Sequence, residues 1–401
     1  MAKTHGAGAY LYTASNDPAM SARVGHPVGG PIGGGTGYRH YYNPTDFGSL
    51  AHPVSSQAQL QAACAAATSG HLIWIAGSFS VSAAAGTLQE GVILASFRGR
   101  DGAAGPMITY ANHISGLFQV KANVRVSGVS IKGDNPLGNS SSAFQCGGNS
   151  GQEFENVWLH DVGYGLIRWT SNGAAWTGTE WNAATPYIHH CDLYGALYNG
   201  GQDSYGVQIA PNGVGGYLIQ SSKLDYCRHV TCCMAGTGTP PGYEVCYCDI
   251  GDCYGWSGGH QHQIDWHGCG STGYCPSGDW PGYRYASGFT RILYNTFSAN
   301  SSARNCAMRG LVKTRAEVRG NWTKKTEHDG IWPLGGAYQT ANSGIFGLTG
   351  EENSADSGYG ALPDENCYVW DNYWGLSEPP DGTEPPPTRQ FAVSVDVRAR
   401  G

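Results

Sequence analysis

The chain has 401 residues, of which only 13% are charged, while Gly accounts for 61, Tyr for 24 and Trp for 12. This profile is poor in helix formers and rich in turn and strand formers, so it predicts an all-β chain with many loops. A formal net charge of −7 argues against general nucleic-acid affinity and confines any anion site to a local basic patch.

Residues 1–54 read as an extended N-terminal segment. Its opening, MAKTHGAGAYLYTASNDP, lacks the apolar run of a secretory leader, and no window of the chain approaches the ~18 apolar residues of a membrane span. Next comes SSQAQLQAACAAATSGH, with Leu60, Cys64 and Ala67 at helical spacing before the strand LIWIAG. A short helix there is expected to cap an open sheet edge.

From there to residue 376 a short strand recurs, apolar residues alternating, followed by a polar–x–apolar step: NVWLHDVGY, YIHHCDLYG, YLIQSSKLD, YEVCYCDIG, TRILYNTFS, AEVRGNWTK, CYVWDNYWG. Aligning the step on Cys191-Asp-Leu193, Ser222-Lys-Leu224, Cys248-Asp-Ile250, Asn295-Thr-Phe297 and Asn321-Trp-Thr323 gives uneven intervals. Stacked coils of about 20–30 residues with loops inserted on one side form a solenoid, because each coil buries its apolar face only against its neighbours. Asn at the step is expected to take the left-handed conformation and to hydrogen-bond its equivalent on the next coil. Residues 377–401 read as a Pro-rich linker, SEPPDGTEPPPT, and a terminal strand.

Eight of the 13 Cys lie between Cys227 and Cys275 without zinc-ribbon or haem spacing, a pattern that favours disulfides and an extracellular or cell-surface setting. Cys227 and Cys253 each follow the step by the same interval and are expected to stack on adjacent coils. Sequons at Asn139, Asn300 and Asn321 fit the same setting.

The stretch GGHQHQIDWHG carries three His and one Asp. On a strand, Ile264 and Trp266 would point inward and Asp265 and His267 outward. Matching the glycine after His267 with the glycine after Arg309 places Arg309 one coil above His267. Arg228 and His229 from LDYCRHV fall near the end of this strip. Asp, His and Arg convergence suits acid/base chemistry; a zinc or calcium site using His260 and His262, or a plain polar ladder, are the competing readings. Between Arg304 and Lys325 seven Lys and Arg face a single acid, Glu317. Lys313 and Arg315, with Tyr205, Trp280 and Tyr283, are therefore the candidate substrate contacts.

The repeated strand and its Asn-x-aromatic turn resemble the right-handed parallel β-helix of the pectate-lyase-like superfamily over roughly residues 55–375. Within it, DSYGVQIA, LDYCRHV, HQHQIDWHG, LYNTF, AMRG and VRGNW are similar to secreted β-helix repeat proteins described as polysaccharide-active. The resemblance implies lyases, hydrolases, epimerases or glycan-binding fibres. The Arg-x-Pro-x-x-Arg signature and calcium-binding aspartate clusters of pectate lyases are not evident. The expected activity is β-elimination on an anionic, uronate-containing polysaccharide: His267, oriented by Asp265, as base, Arg309 with Lys313 or Arg315 or a bound cation neutralising the carboxylate, and Tyr205 or His229 as acid. The alternatives are a hydrolase using two of Asp225, Asp249, Asp252 and Asp265, or a non-catalytic glycan-binding fibre.

Overall fold

The computed structural model describes residues 31–111, 116–134, 142–147, 151–169, 185–196, 205–209, 215–234, 242–253, 262–267, 285–297, 306–319, 321–323, 367–370 and 373–374. These form a parallel β-helix. Each coil gives one strand to each of three parallel sheets, here A, B and C in the order C, A, B along the chain. Every strand stacks on the strand one coil earlier in the same sheet, as in Tyr187–His189 on Glu153–Glu155. The helix Gln57–Ala66 caps the first coil and buries Leu60, Ala63 and Cys64. Its N-terminus is closed by Ser56, whose hydroxyl accepts the Gln59 N–H at 3.3 Å.

Inward residues alternate with outward ones and stack in like-on-like columns. Phe118 lies over Phe144 with ring centroids 5.4 Å apart, and Tyr217 over Tyr243 at 5.0 Å. The turn steps pair as their spacing predicts: Leu193 with Leu224, Leu224 with Ile250, Ile250 with Phe297, and Phe297 with Thr323. Uneven sequence intervals therefore hide an even stack, because burial of the apolar residue sets the register and loop length does not.

From Gly128 onward, sheet A passes to sheet B through two residues on every coil, such as Asn156–Val157, Tyr247–Cys248 and Tyr294–Asn295. The left-handed residue is the first of the two, including Asn156, His190, Ser221, Tyr247 and Tyr294. The Asn of the turn step is the second, so the left-handed role expected of it belongs to its predecessor. Its other expected role holds: Asn321 Oδ1 accepts the Asn295 backbone N–H at 2.9 Å and the Asn295 side-chain amide at 3.0 Å. Asn295 Oδ1 in turn accepts the Cys248 N–H at 2.9 Å. Being fully buried in this ladder, Asn321 is not a glycan acceptor in the folded chain.

Cys227 and Cys253 pair across adjacent coils, yet no disulfide joins them or any other pair of the nine cysteines whose side chains are described, all of which are buried. Stacked parallel strands project their side chains side by side about 4.8 Å apart, too far for the ~3.8 Å Cβ separation a disulfide prefers. These thiols act as small apolar fillers, and burial pushes Cys227 up to about 12.

Residues 31–50 form a strap over sheet A and its corner with sheet B. The Gly33 N–H donates to Ser221 O at 2.9 Å and the Gly35 N–H to Asn156 Oδ1 at 2.7 Å. Gly34 is required at this crossing: with φ +66°, a Cβ there would come within 2.2 Å of His190 O.

Candidate functional site

Sheet C is the sheet flanked by insertions. Residues 170–186, 210–215, 235–241 and 268–284 leave its strands, while 197–204, 251–261 and 298–305 enter them. Beside the inward Val207, Ile209, Cys233 and Ile264, the other parity carries a polar row. By register it runs Gln119, Gln145, Arg168, Gln208, Cys232, Asp265 and Arg309. At the start of the same strands, Tyr205, His229, His262 and Cys306 pair in succession.

Three of the residues singled out in the sequence, Tyr205, His229 and Asp265, thus meet on neighbouring coils. His229 Nδ1 lies 2.8 Å from Asp265 Oδ2, and both side chains are fully buried. The Tyr205 ring stacks on His229 at 5.1 Å. Arg309 pairs with Asp265 by backbone register, two positions from the expected place above His267. The glycine match misled because Ile264 pairs with Met308, so Trp266 and not Gly268 meets Gly310. Burial of the apolar parity overrides a coincidence of glycines.

Three further features were not foreseen. The cluster is enclosed rather than open: Tyr205 and Cys232 form a small apolar group with Tyr164, apart from the aliphatic core. The Cys232 thiol donates to Asp265 Oδ2 at 3.5 Å. Arg228, expected beside the strip, is also buried.

The basic stretch divides. Arg309 belongs to sheet C, but the same long strand, Cys306–Arg319, bends into sheet A, where Arg315 pairs with Phe289. There the Arg315 Nε–H donates to Glu317 Oε1 at 2.8 Å, the Arg291 Nε–H donates to Glu317 Oε2 at 3.2 Å, and Arg291 Nη1 lies 3.8 Å from Glu244 Oε2. Arg315 is thus neutralised by a ladder of acids on a different sheet from Asp265. Of Arg309, Lys313, His262 and His267 only the backbone is described, and His260, Trp280 and Tyr283 lie outside the described residues.

At the corner from sheet B towards His229, Asp225 is half-buried and its carboxyl is pushed up to about 6 by burial and then by neighbouring Asp252, with Asp249 adding to it. Sequence reasoning passed over a second cluster, on sheet A. Glu153, Glu155 and His189 are buried with ligand atoms all within 4.8 Å of one another. The readable signal was Glu-Phe-Glu, two acids on one face of a strand flanking an inward Phe154, one coil before His189.

Comparison with models of protein families finds no match, and comparisons with curated proteins and with solved structures find none either. The functional reading therefore rests on the parallel β-helix and on the side chains that it stacks.

Proposed function

We propose that this β-helix is carbohydrate-active, in the manner of the pectate-lyase-like superfamily, and cleaves an anionic, uronate-containing polysaccharide by β-elimination over sheet C. One observation carries the reading: the His229–Asp265 contact of 2.8 Å on the insertion-flanked sheet, with Arg309 on the next coil. His229, oriented by Asp265, takes the base role first assigned to His267, since imidazole titrates near neutrality. It removes the proton beside the uronate carboxylate, and the C–H electron pair becomes the new double bond as the glycosidic C–O bond breaks. Arg309 offsets the carboxylate charge that makes this proton hard to remove. Tyr205 protonates the leaving oxygen. His229 and Asp265 are buried in the substrate-free chain, so the reaction requires the site to become accessible to the glycan. The calcium or zinc expectation at His260 and His262 falls beside this site, since the backbone of His262, on the coil of Asp265, pairs with His229 of the preceding coil.

Asp225 favours a second reading. A carboxyl held near 6 keeps a proton available for general-acid hydrolysis. A panel of uronate polymers separates the two: a lyase generates the ultraviolet absorbance of unsaturated ends, and a hydrolase generates reducing ends without it. Asp265→Asn is expected to lower kcat at least ~100-fold while leaving the circular dichroism unchanged. Silence of the unaltered protein on both readouts would discard catalysis and leave a glycan-binding fibre.

A further inference from the structure

On sheet A, away from the polar row of sheet C, the strap and the strands enclose a set of oxygen and nitrogen donors with no part in the reaction above. Glu153 and Glu155 share one outward face of their strand, and His189 pairs with Glu155 on the next coil. All three are at most 6% exposed. His40 descends from the strap and places Nδ1 2.9 Å from Glu155 Oε1. On the other side His189 Nε2 is 3.1 Å from Glu153 Oε1. The ligand atoms of Glu153, Glu155 and His189 all lie within 4.8 Å of one another, close enough to shift onto one ion, since ligands around a tetrahedral Zn2+ sit about 3.3 Å apart.

The atoms on the far side of each donor are held from behind. The Tyr38 hydroxyl donates to Glu155 Oε2 at 2.7 Å, and Arg125 Nη1 lies 3.6 Å from Glu153 Oε2. His189 Nδ1 meets His190 Nδ1 at 3.0 Å, and the His189 ring stacks on Tyr187 at 4.3 Å. Anchoring the outer oxygen of each carboxylate and the outer nitrogen of the imidazole is what fixes ligands to face an ion. The charge balance points the same way: two carboxylates are set against one guanidinium, Arg125.

We infer that Glu153, Glu155 and His189 form a divalent transition-metal site beneath the strap, with Tyr38 and His40 of the strap holding Glu155 at its edge. Mixed imidazole and carboxylate donors suit Zn2+ better than Ca2+, which takes oxygen ligands alone. Because Tyr38 and His40 of the strap hydrogen-bond the Glu155 carboxylate, an ion that orders Glu155 also favours the seated strap, and its binding energy adds to the stability of that form.

The test uses the full chain, stripped with a chelator and titrated with Zn2+ by calorimetry. One equivalent is expected to bind, and Glu155→Gln to weaken it at least ~100-fold, a loss typical of an altered ligand set. A His260→Ala/His262→Ala double variant is expected to keep it. In the unaltered protein, Zn2+ is expected to slow tryptic cleavage after the exposed Arg39 at least ~10-fold, by mass action on the closed strap. Any of four results would overturn the assignment: no stoichiometric Zn2+, unchanged affinity in Glu155→Gln, loss in the double variant, or a cleavage rate at Arg39 indifferent to Zn2+. The protease readout needs no variant and so stands even where Glu155→Gln fails to fold.

Discussion

Asn321 joins two coils through both ends of its amide, accepting from Asn295 and donating to Ile292 O at 2.8 Å, and no solvent reaches it. Asn321→Ala strands a buried N–H and a buried carbonyl together, so it is expected to cost about 2–4 kcal/mol; urea denaturation reads the loss, and an unmoved midpoint would show the ladder to be energetically idle. Asp225 acts through pH. Folding raises its carboxyl from 3.8 to about 6, so between those values the folded chain holds a proton that the unfolded chain releases. Its contribution is therefore most favourable below 3.8 and is lost as pH climbs through 6. Asp225→Asn removes this dependence and is expected to raise stability at pH 8 by about 1 kcal/mol, the shift being discounted for a half-exposed group. Equal pH 5-to-8 differences in the two proteins would refute it.

At the scale of elements, the capping helix and the strap close opposite needs. The helix covers the first coil, where the strand Ala51–Val54 pairs with Leu72–Ile75 and would otherwise present a parallel edge. Leu60→Asp buries a charge in that contact and is expected to release the helix, seen as a rise in solution mass by size-exclusion light scattering relative to Leu60→Met; equal masses would show that the edge needs no cover. The helix was legible because its apolar spacing is local. So were the steps at Leu193, Leu224, Ile250 and Phe297, since one inward residue per coil marks the register. The junction between His262–His267 and Cys306–Arg319 was not, because its glycines looked equivalent while the pairing of Ile264 with Met308 set the alignment. Nor was the contact of His229 with Asp265, which lie on different coils, or the strap's use of Glu155, which depends on a crossing that no spacing encodes.

For the whole molecule, the three sheets bear different burdens. Sheet C carries the insertions and the His229–Asp265 pair, sheet A the strap and its enclosed carboxylates, and sheet B the half-buried acids at the corner. Each coil contacts only its neighbours, so cohesion is a sum of local interfaces. The two-residue turn between sheets A and B repeats without change from Gly128 onward, while the distances along the chain between successive coils vary freely elsewhere. That constancy works as a spine: segments beside sheet C can be lengthened, shortened or exchanged without shifting the alignment of any column. A scaffold of this kind can alter what it grips by trading its margins, while the stacked frame behind them stays the same.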